Sequence, residues 1–149
     1  MSMRILSLGK SHFDAVISLI RFSDREFSWS DQQILDSIEN DLTLGLFEND
    51  KLRAIAIFNS IFDTAELLYV CVDKSNQNKG FGYKVLKQSF TYLLKQKISK
   101  VFLEVDVSNH YALKLYNKIG FKKISTRKNY YKKNDGSYND ALIYKLEIS

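Results

Sequence analysis

Between Leu67 and Lys95 the chain changes its period. Leu67 to Val72 is an unbroken apolar run that stops at Asp73; a polar turn follows through Gln77-Asn78-Lys79-Gly80-Phe81-Gly82; apolar residues then recur at Val85, Leu86, Phe90, Leu93 and Leu94. An apolar run of strand length followed by a three-to-four spacing predicts a strand feeding a helix. Two glycines at the joint leave the backbone amides of Asn78 to Tyr83 without bulky side chains over them. At a helix start such amides lack intrahelical acceptors and lie at the positive end of the dipole, so the joint is a candidate anion site. Glycines also serve simply to close tight bends, and the rest of the chain has to decide between the two uses.

The flanking pattern gives that joint a setting. Met3 to Leu8 is a strand candidate ended by Gly9. Ser11 can cap a helix whose Phe13, Val16, Ile17 and Ile20 share one face. A second helix, Asp31 to Glu39, follows a possible N-cap at Ser30 and carries Ile34, Leu35 and Ile38 on one side. Phe27 and the only tryptophan, Trp29, fall in the connection, where large rings either plug a core or line a pocket. Leu42 to Phe47, Lys51 to Ile61 and Glu66 to Asp73 read as an antiparallel meander turning at Glu48-Asn49-Asp50 and at Asp63-Thr64. Lys100 to Asp106 alternates, with Glu104 opposite to Leu103 and Val105. A helix from Ser108 to Lys118 stops at Gly120, and strands Phe121 to Tyr131 and Ala141 to Ile148 flank an Asn134-Asp135-Gly136 turn.

The order is therefore βααβββαβαββ, an α/β (mixed α+β) fold in one domain spanning residues 1–149. A strand-helix-strand crossover from Leu67 to Asp106 implies parallel neighbours. In open α/β sheets ligands gather beyond the carboxyl ends of strands, where the Gly80 turn, the end of Lys100 to Asp106 and Asn109 would meet.

Composition narrows the chemistry. The 149 residues, 45% of them hydrophobic, suffice for one real core. No apolar run approaches the roughly 18 residues that span a bilayer, and the amino terminus lacks the apolar block of a signal peptide, so a cytoplasmic protein without membrane attachment is expected. One cysteine and two histidines supply neither a disulfide nor a metal-ligand cluster; no metal is expected. Carboxylates, tyrosines, backbone and a co-substrate must carry the chemistry. The +5 charge is concentrated after Asp106, in Lys114, Lys118, Lys122, Lys123, Arg127, Lys128, Lys132 and Lys133. That basic third is a solubilising face, a contact for cofactor phosphates, or a surface for a polyanionic environment. No RNA-binding signature accompanies Tyr130 and Tyr131, so direct nucleic-acid binding is not expected.

Gln77-x-x-Gly80-x-Gly82 after a strand, with Asn109 and Tyr116 on the next helix and Gly120-Phe121 closing it, resembles the acyl-CoA motif of the GNAT N-acetyltransferases. Within that family, Phe27-Ser28-Trp29-Ser30, Leu103-Glu104-Val105, Ser108-Asn109, Ala112-x-x-Leu115-Tyr116, and Arg127-x-Asn129-Tyr130-Tyr131 with Asp135-Gly136 and Asp140-Ala141 are similar to the RimI-type ribosomal-protein-alanine N-acetyltransferases. The chain departs from that pattern at Ser28 and Lys74, where proline is usual, and at Asn78.

The resemblance implies a GNAT fold and acetyl-CoA as co-substrate. It assigns backbone at Val70, Cys71 and Val72 to the pantetheine and acetyl carbonyl. The Gln77 turn, with the amides of Asn78, Lys79, Gly80, Phe81, Gly82 and Tyr83, falls to the pyrophosphate, and the Asn109 side chain to the pantetheine arm. Glu104 would be the general base and Tyr116 the acid that protonates the leaving thiolate, in a direct attack of the amine on the thioester without an acyl-enzyme. Phe27, Trp29, Tyr130 and Tyr131 are the candidate acceptor wall: a peptide-length groove beside them favours a protein terminus, a closed pocket a small amine. The implied acceptor is the amino terminus of a protein, a ribosomal protein in the nearest branch. A small-molecule amine as acceptor, or a non-catalytic acyl-CoA-binding module, is also consistent with the residues alone. So are a solvated strand-end role for Glu104, a core role for Tyr116, and a buried structural role for Cys71. Two groups acting on one thioester are expected on the same side of the sheet.

Overall fold

Two tight reversals build the antiparallel half of the molecule, which a computed structural model describes over residues 2–149. Asn49 (φ 49°) and Asp50 (φ 68°) are both left-handed, the requirement of a two-residue hairpin turn, and join β2 (Leu42–Glu48) to β3 (Lys51–Ile61). A turn at Phe62-Asp63 returns the chain into β4 (Thr64–Val72), two residues before the expected start. With β1 (Met3–Ser7) on the outside, these four strands pair antiparallel in the order β1-β2-β3-β4.

The helices follow their apolar stripes. α1 (Phe13–Ser23) buries Val16, Leu19 and Ile20; α2 (Asp31–Asn40) buries Ile34 and Ile38. Ser30 caps α2 as predicted: its hydroxyl accepts from the Gln33 amide at 3.1 Å, and the Gln33 side chain accepts from the Ser30 amide at 2.8 Å. Ser11 does not cap α1, because a 3-10 turn over Lys10–His12 precedes the helix and no side chain bonds its first amides.

The crossover from β4 through α3 (Phe81–Lys95) to β5 (Lys100–Asp106) is parallel, as its helical connection requires. After α4 (His110–Ile119) come β6 (Lys122–Lys132) and β7 (Tyr138–Glu147), and β7 inserts between β5 and β6, giving the seven-stranded order β1-β2-β3-β4-β5-β7-β6. β7 starts earlier than its apolar pattern suggested, since polar Asn139 and Asp140 already belong to the hairpin.

The sheet separates two cores. α3 and α4 cover one face over Val101, Leu103 and Val105; α1 and α2 cover the other over Ile55, Ile57 and Cys71. Two irregularities matter for function. Ladder pairs run from Thr64↔Lys100 to Leu67↔Leu103 and stop there, so β4 and β5 part beyond that level. At the same level β4 slips against β3, with Phe58 opposite Leu67 and Ile57 opposite Tyr69; Leu68 is the extra residue of a bulge.

Candidate active site

Where β4 and β5 part, a cleft of about 660 Å³ opens, and Leu68 to Val72 form one of its walls along a strand edge that β5 no longer covers. The strand-to-helix joint lies at its end. Gly80 is the N-cap of α3 in a left-handed conformation (φ 84°), which a side chain would strain. The first intrahelical bond runs from the Lys84 amide to the Gly80 carbonyl at 3.0 Å, and no side chain caps the amides of Phe81, Gly82 and Tyr83. The second glycine has a different task. A Cβ on Gly82 would lie 3.3 Å from Leu115 Cδ2, so its missing side chain lets α4 approach and keeps the cleft open. Gln77 braces the joint: its Nε2 donates to the Val72 carbonyl at 3.2 Å and to the Ser23 carbonyl at 3.5 Å. Asn78 is left-handed (φ 63°) and lines the cleft, whereas Lys79 projects into solvent.

Glu104 and Tyr116 both line this cleft, but from opposite faces of the sheet. Leu103 and Val105 pack under α3, so by alternation Glu104 points to the α1/α2 face; Tyr116 lies on α4 and packs with the α3 core. The expectation of one shared side is thus corrected. The opening beyond Leu67 and Leu103 makes a passage through the sheet, and a group threaded between β4 and β5 is reachable from both faces.

The Glu104 carboxylate is partly buried and has a partner beside each oxygen. Arg127 Nη1 is 3.7 Å from Oε2, and the Tyr131 hydroxyl donates to Oε1 at 3.5 Å. Across the passage, the Tyr116 ring packs edge-on against Phe121, with centroids 5.6 Å apart, and burial pushes its hydroxyl up to about 12. At neutral pH it is protonated, on a residue that lines the cleft. Asn109 caps α4, its Oδ1 accepting from the Ala112 amide at 3.2 Å, which leaves its Nδ2 for other partners.

On the α1/α2 face the structure adds residues that the sequence did not single out. Tyr69 donates to Asp24 Oδ2 at 2.6 Å, and both line the cleft beside Glu104. Burial, with Cys71 and Asp24 close by, holds the Tyr69 hydroxyl well above the usual phenol range. Phe27 stacks on Tyr69 at 4.0 Å and touches Trp29 at 5.1 Å, while Arg21 donates to the Trp29 carbonyl at 2.6 Å. Phe27 and Trp29 are therefore plugs behind Tyr69 rather than part of the cleft lining. Tyr131 does line the cleft, and exposed Tyr130 packs edge-on behind it at 5.1 Å under Arg127. Alternation along β4 places Tyr69 on the Glu104 side and was the available signal; Asp24, in a connection, carried none. Cys71 is buried and burial pushes its thiol up to about 11, the behaviour of an inert core residue.

A family model for the acetyltransferase (GNAT) family matches residues 13–121. The chain belongs to the GNAT family. It is an acetyltransferase that uses acetyl-CoA, as the family does. The [ribosomal protein bS18]-alanine N-acetyltransferase of Escherichia coli (strain K12) is 36% identical over 124 residues, 83% of each chain. That of Haemophilus ducreyi is 40% identical over 107 residues, 72% of this chain and 74% of its own. The crystal structure of the ribosomal-protein-S18-alanine N-acetyltransferase from Escherichia coli superposes with a TM-score of 0.87 at 32% identity, covering 99% of this chain and 95% of that one.

GNAT enzymes use acetyl-CoA, and the residues present fit it: uncapped amides at Phe81 to Tyr83 for an anionic group, a glycine where a side chain would fill the cleft, and an unpaired strand edge for an extended amide-bearing arm. Among the described residues no group of three or more His, Cys, Asp and Glu side chains is placed to hold a metal ion, and no helix is long and apolar enough to cross a membrane.

The raised phenols have a measurable consequence at high pH. In the unfolded chain Tyr116 and Tyr131 ionise near 10.0, whereas in the fold burial pushes both up to about 12, with the Glu104 charge adding to the shift of Tyr131. Above pH 10 the unfolded chain releases protons that the fold retains, so stability is full below that point and falls as pH rises from 10 to 12. Thermal unfolding midpoints measured across this window should decline, and Tyr116→Phe should flatten the decline.

Proposed function

We propose that this GNAT enzyme is a single-domain cytoplasmic N-α-acetyltransferase whose acceptor is a protein amino terminus, that of a ribosomal protein beginning with alanine. The observation that carries this reading is a second, open cleft of about 770 Å³, which shares Asp106 and Tyr131 with the first and runs on past Glu26, Lys132 and Asn139. A small amine needs a closed pocket, whereas a chain entering at Glu104 needs a way onward. Asp106 is fixed at that junction. Burial raises its carboxyl, but hydrogen bonds from the Ser108 amide and hydroxyl and from Asn139 outweigh burial and hold it below the usual carboxylate range.

Acetyl-CoA, when bound, supplies an activated acetyl group. The backbone of Val70, Cys71 and Val72 holds its pantetheine arm and acetyl carbonyl, with the Asn109 side chain supporting the arm. The amides of Asn78 to Tyr83, braced by Gln77, hold the diphosphate. The acceptor nitrogen attacks the thioester carbonyl directly, with no acyl-enzyme: as the C–N bond forms and the C–S bond breaks, Glu104, directly or through a water, would take the amine proton, and the Tyr116 hydroxyl would protonate the departing sulfur and regain its proton from solvent. An α-amino group titrates at about 7.7 to 8.0 and a lysine at about 10.4, so a single carboxylate suffices to neutralise an N-terminus near pH 7. Tyr131 forms part of the acceptor wall, with Phe27 and Trp29 supporting it through Tyr69 and Tyr130 behind.

Thiol release from acetyl-CoA, measured with alanine-initiated peptides, polyamines and amino sugars, tests the proposal. The peptides should be acetylated at their amino terminus far faster than either small amine. Equal rates, or release with the small amines alone, would rule it out.

A further inference from the structure

The hairpin of β6 and β7 loses register at two places, between Lys123 and Ser125 and between Arg127 and Tyr131, and the residues that flank the second reach Glu104. Arg127 pairs with Ala141, and a regular antiparallel ladder would then set Asn129 opposite Asn139. Instead Tyr131 stands opposite Asn139, so β6 carries two extra residues over this stretch. An insertion of two keeps the alternation of faces and replaces Asn129 by Tyr131 at that position. The excess chain is taken up by Asn129, left-handed at φ 53°, whose amide donates to Asp140 Oδ1 at 3.0 Å.

We propose that this Asn129–Asp140 bulge is a positioning device for Glu104, and that Asn129 sets the rate of acetyl transfer without touching either substrate. The proposal rests on Glu104 as the base. Arg127 and Tyr131 bracket the bulge, and each meets a different oxygen of the same carboxylate, at 3.7 and 3.5 Å. Arg127 is more than half exposed, so its ion pair adds little to stability. Its value is geometric: a partner beside each oxygen biases the carboxylate toward one orientation. Without the bulge Tyr131 would not stand opposite Asn139, and one of the two restraints would be lost. Asn tolerates the left-handed conformation, glycine adopts it at no cost, and a β-branched residue does not.

The experiment compares Asn129→Gly, Asn129→Val and Asp140→Ala with wild type, each also in an Arg127→Met/Tyr131→Phe background, measuring kcat and both KM values with acetyl-CoA and an alanine-initiated peptide. Asn129→Gly should keep its turnover. Asn129→Val and Asp140→Ala should lose about 10- to 100-fold in kcat, with KM for acetyl-CoA unchanged, the scale expected of a misplaced catalytic group. In the double-variant background neither should cost anything further. A wild-type kcat in Asn129→Val overturns the proposal, as does an undiminished loss in the background. If Asn129→Val does not fold, a wild-type kcat in Asp140→Ala has the same force. Glu104→Gln in the same assay separates the two readings. A wild-type rate there removes the base assignment, whereas a large loss there with an intact Asn129→Val removes the positioning device alone.

Discussion

Glu104→Gln should cut the turnover of an alanine-initiated peptide by about 100-fold or more while leaving acetyl-CoA affinity close to wild type, the scale of a lost general base. Glutamine has the same shape and can still accept from the Tyr131 hydroxyl, which meets Oε1 at 3.5 Å, so the fold around the site is preserved. What disappears is the charge proposed to take up the amine proton and the electrostatic partner of Arg127. Because Glu104 sits on the α1/α2 face and the uncapped amides of α3 lie at the joint beyond β4, the two halves of the site should fail independently. Single-turnover measurements of thiol release, with acetyl-CoA binding followed separately by calorimetry, check this directly. A turnover within a few-fold of wild type would leave Glu104 as no more than a strand-end carboxylate.

Gly82→Val should produce the complementary defect. Its backbone is ordinary helix, so the substitution carries no conformational strain, but a Cβ would already lie 3.3 Å from Leu115 Cδ2 and 3.8 Å from a Val72 methyl. The two γ-carbons of valine would have to displace α4 or enter the cleft that Gly82 lines. Overpacking of this kind costs about 1–3 kcal/mol. Acetyl-CoA affinity should fall by at least about tenfold, the equivalent of 1.4 kcal/mol. Gly80→Ala is the control with the opposite cause: nothing lies within 4 Å of its Cβ, and φ 84° is what a side chain resists. It should destabilise the fold by about 1–2 kcal/mol and leave the cleft open. Calorimetric titration with acetyl-CoA, alongside thermal unfolding, distinguishes the two glycines.

That the two glycines differ was not legible in the sequence, where both read as relief for the same amides. Gly80 faces open space and Gly82 faces Leu115, a contact made by a helix some thirty residues further on. The element order was legible, since it depends on local period: the run at Leu67 to Val72, the stripe from Val85 to Leu94, and the alternation in Lys100 to Asp106 each predicted the right element. The separation of β4 from β5 was not. It depends on where a ladder stops and on Leu68 slipping against β3, neither of which leaves a mark on hydrophobic pattern. For the same reason the strand alternation correctly put Glu104 opposite Leu103, yet its relation to Tyr116 across the passage emerged only from the sheet.

Phe27 and Trp29 show the limit of reading aromatic residues in a connection. The sequence offered a plug or a pocket wall, and the structure makes them a stack behind Tyr69, one layer away from the cleft lining. The Arg127-x-Asn129-Tyr130-Tyr131 stretch marked the family by resemblance. Its physical sense came from register: two extra residues, a left-handed Asn129 and a carboxylate at Asp140 carry Arg127 and Tyr131 to Glu104.

We infer that the gap between β4 and β5 is a passage in which one thioester meets a carboxylate from one face and a phenol from the other. A crystal structure with a conjugate of CoA and an alanine-initiated peptide tests it most directly. The diphosphate should lie on the amides of Phe81 to Tyr83, the sulfur within hydrogen-bond reach of the Tyr116 hydroxyl, and the acylated nitrogen within reach of Glu104, directly or through one water. A sulfur seated away from Tyr116, or a peptide amino terminus bound on the α3 face with Glu104 out of reach, would contradict it.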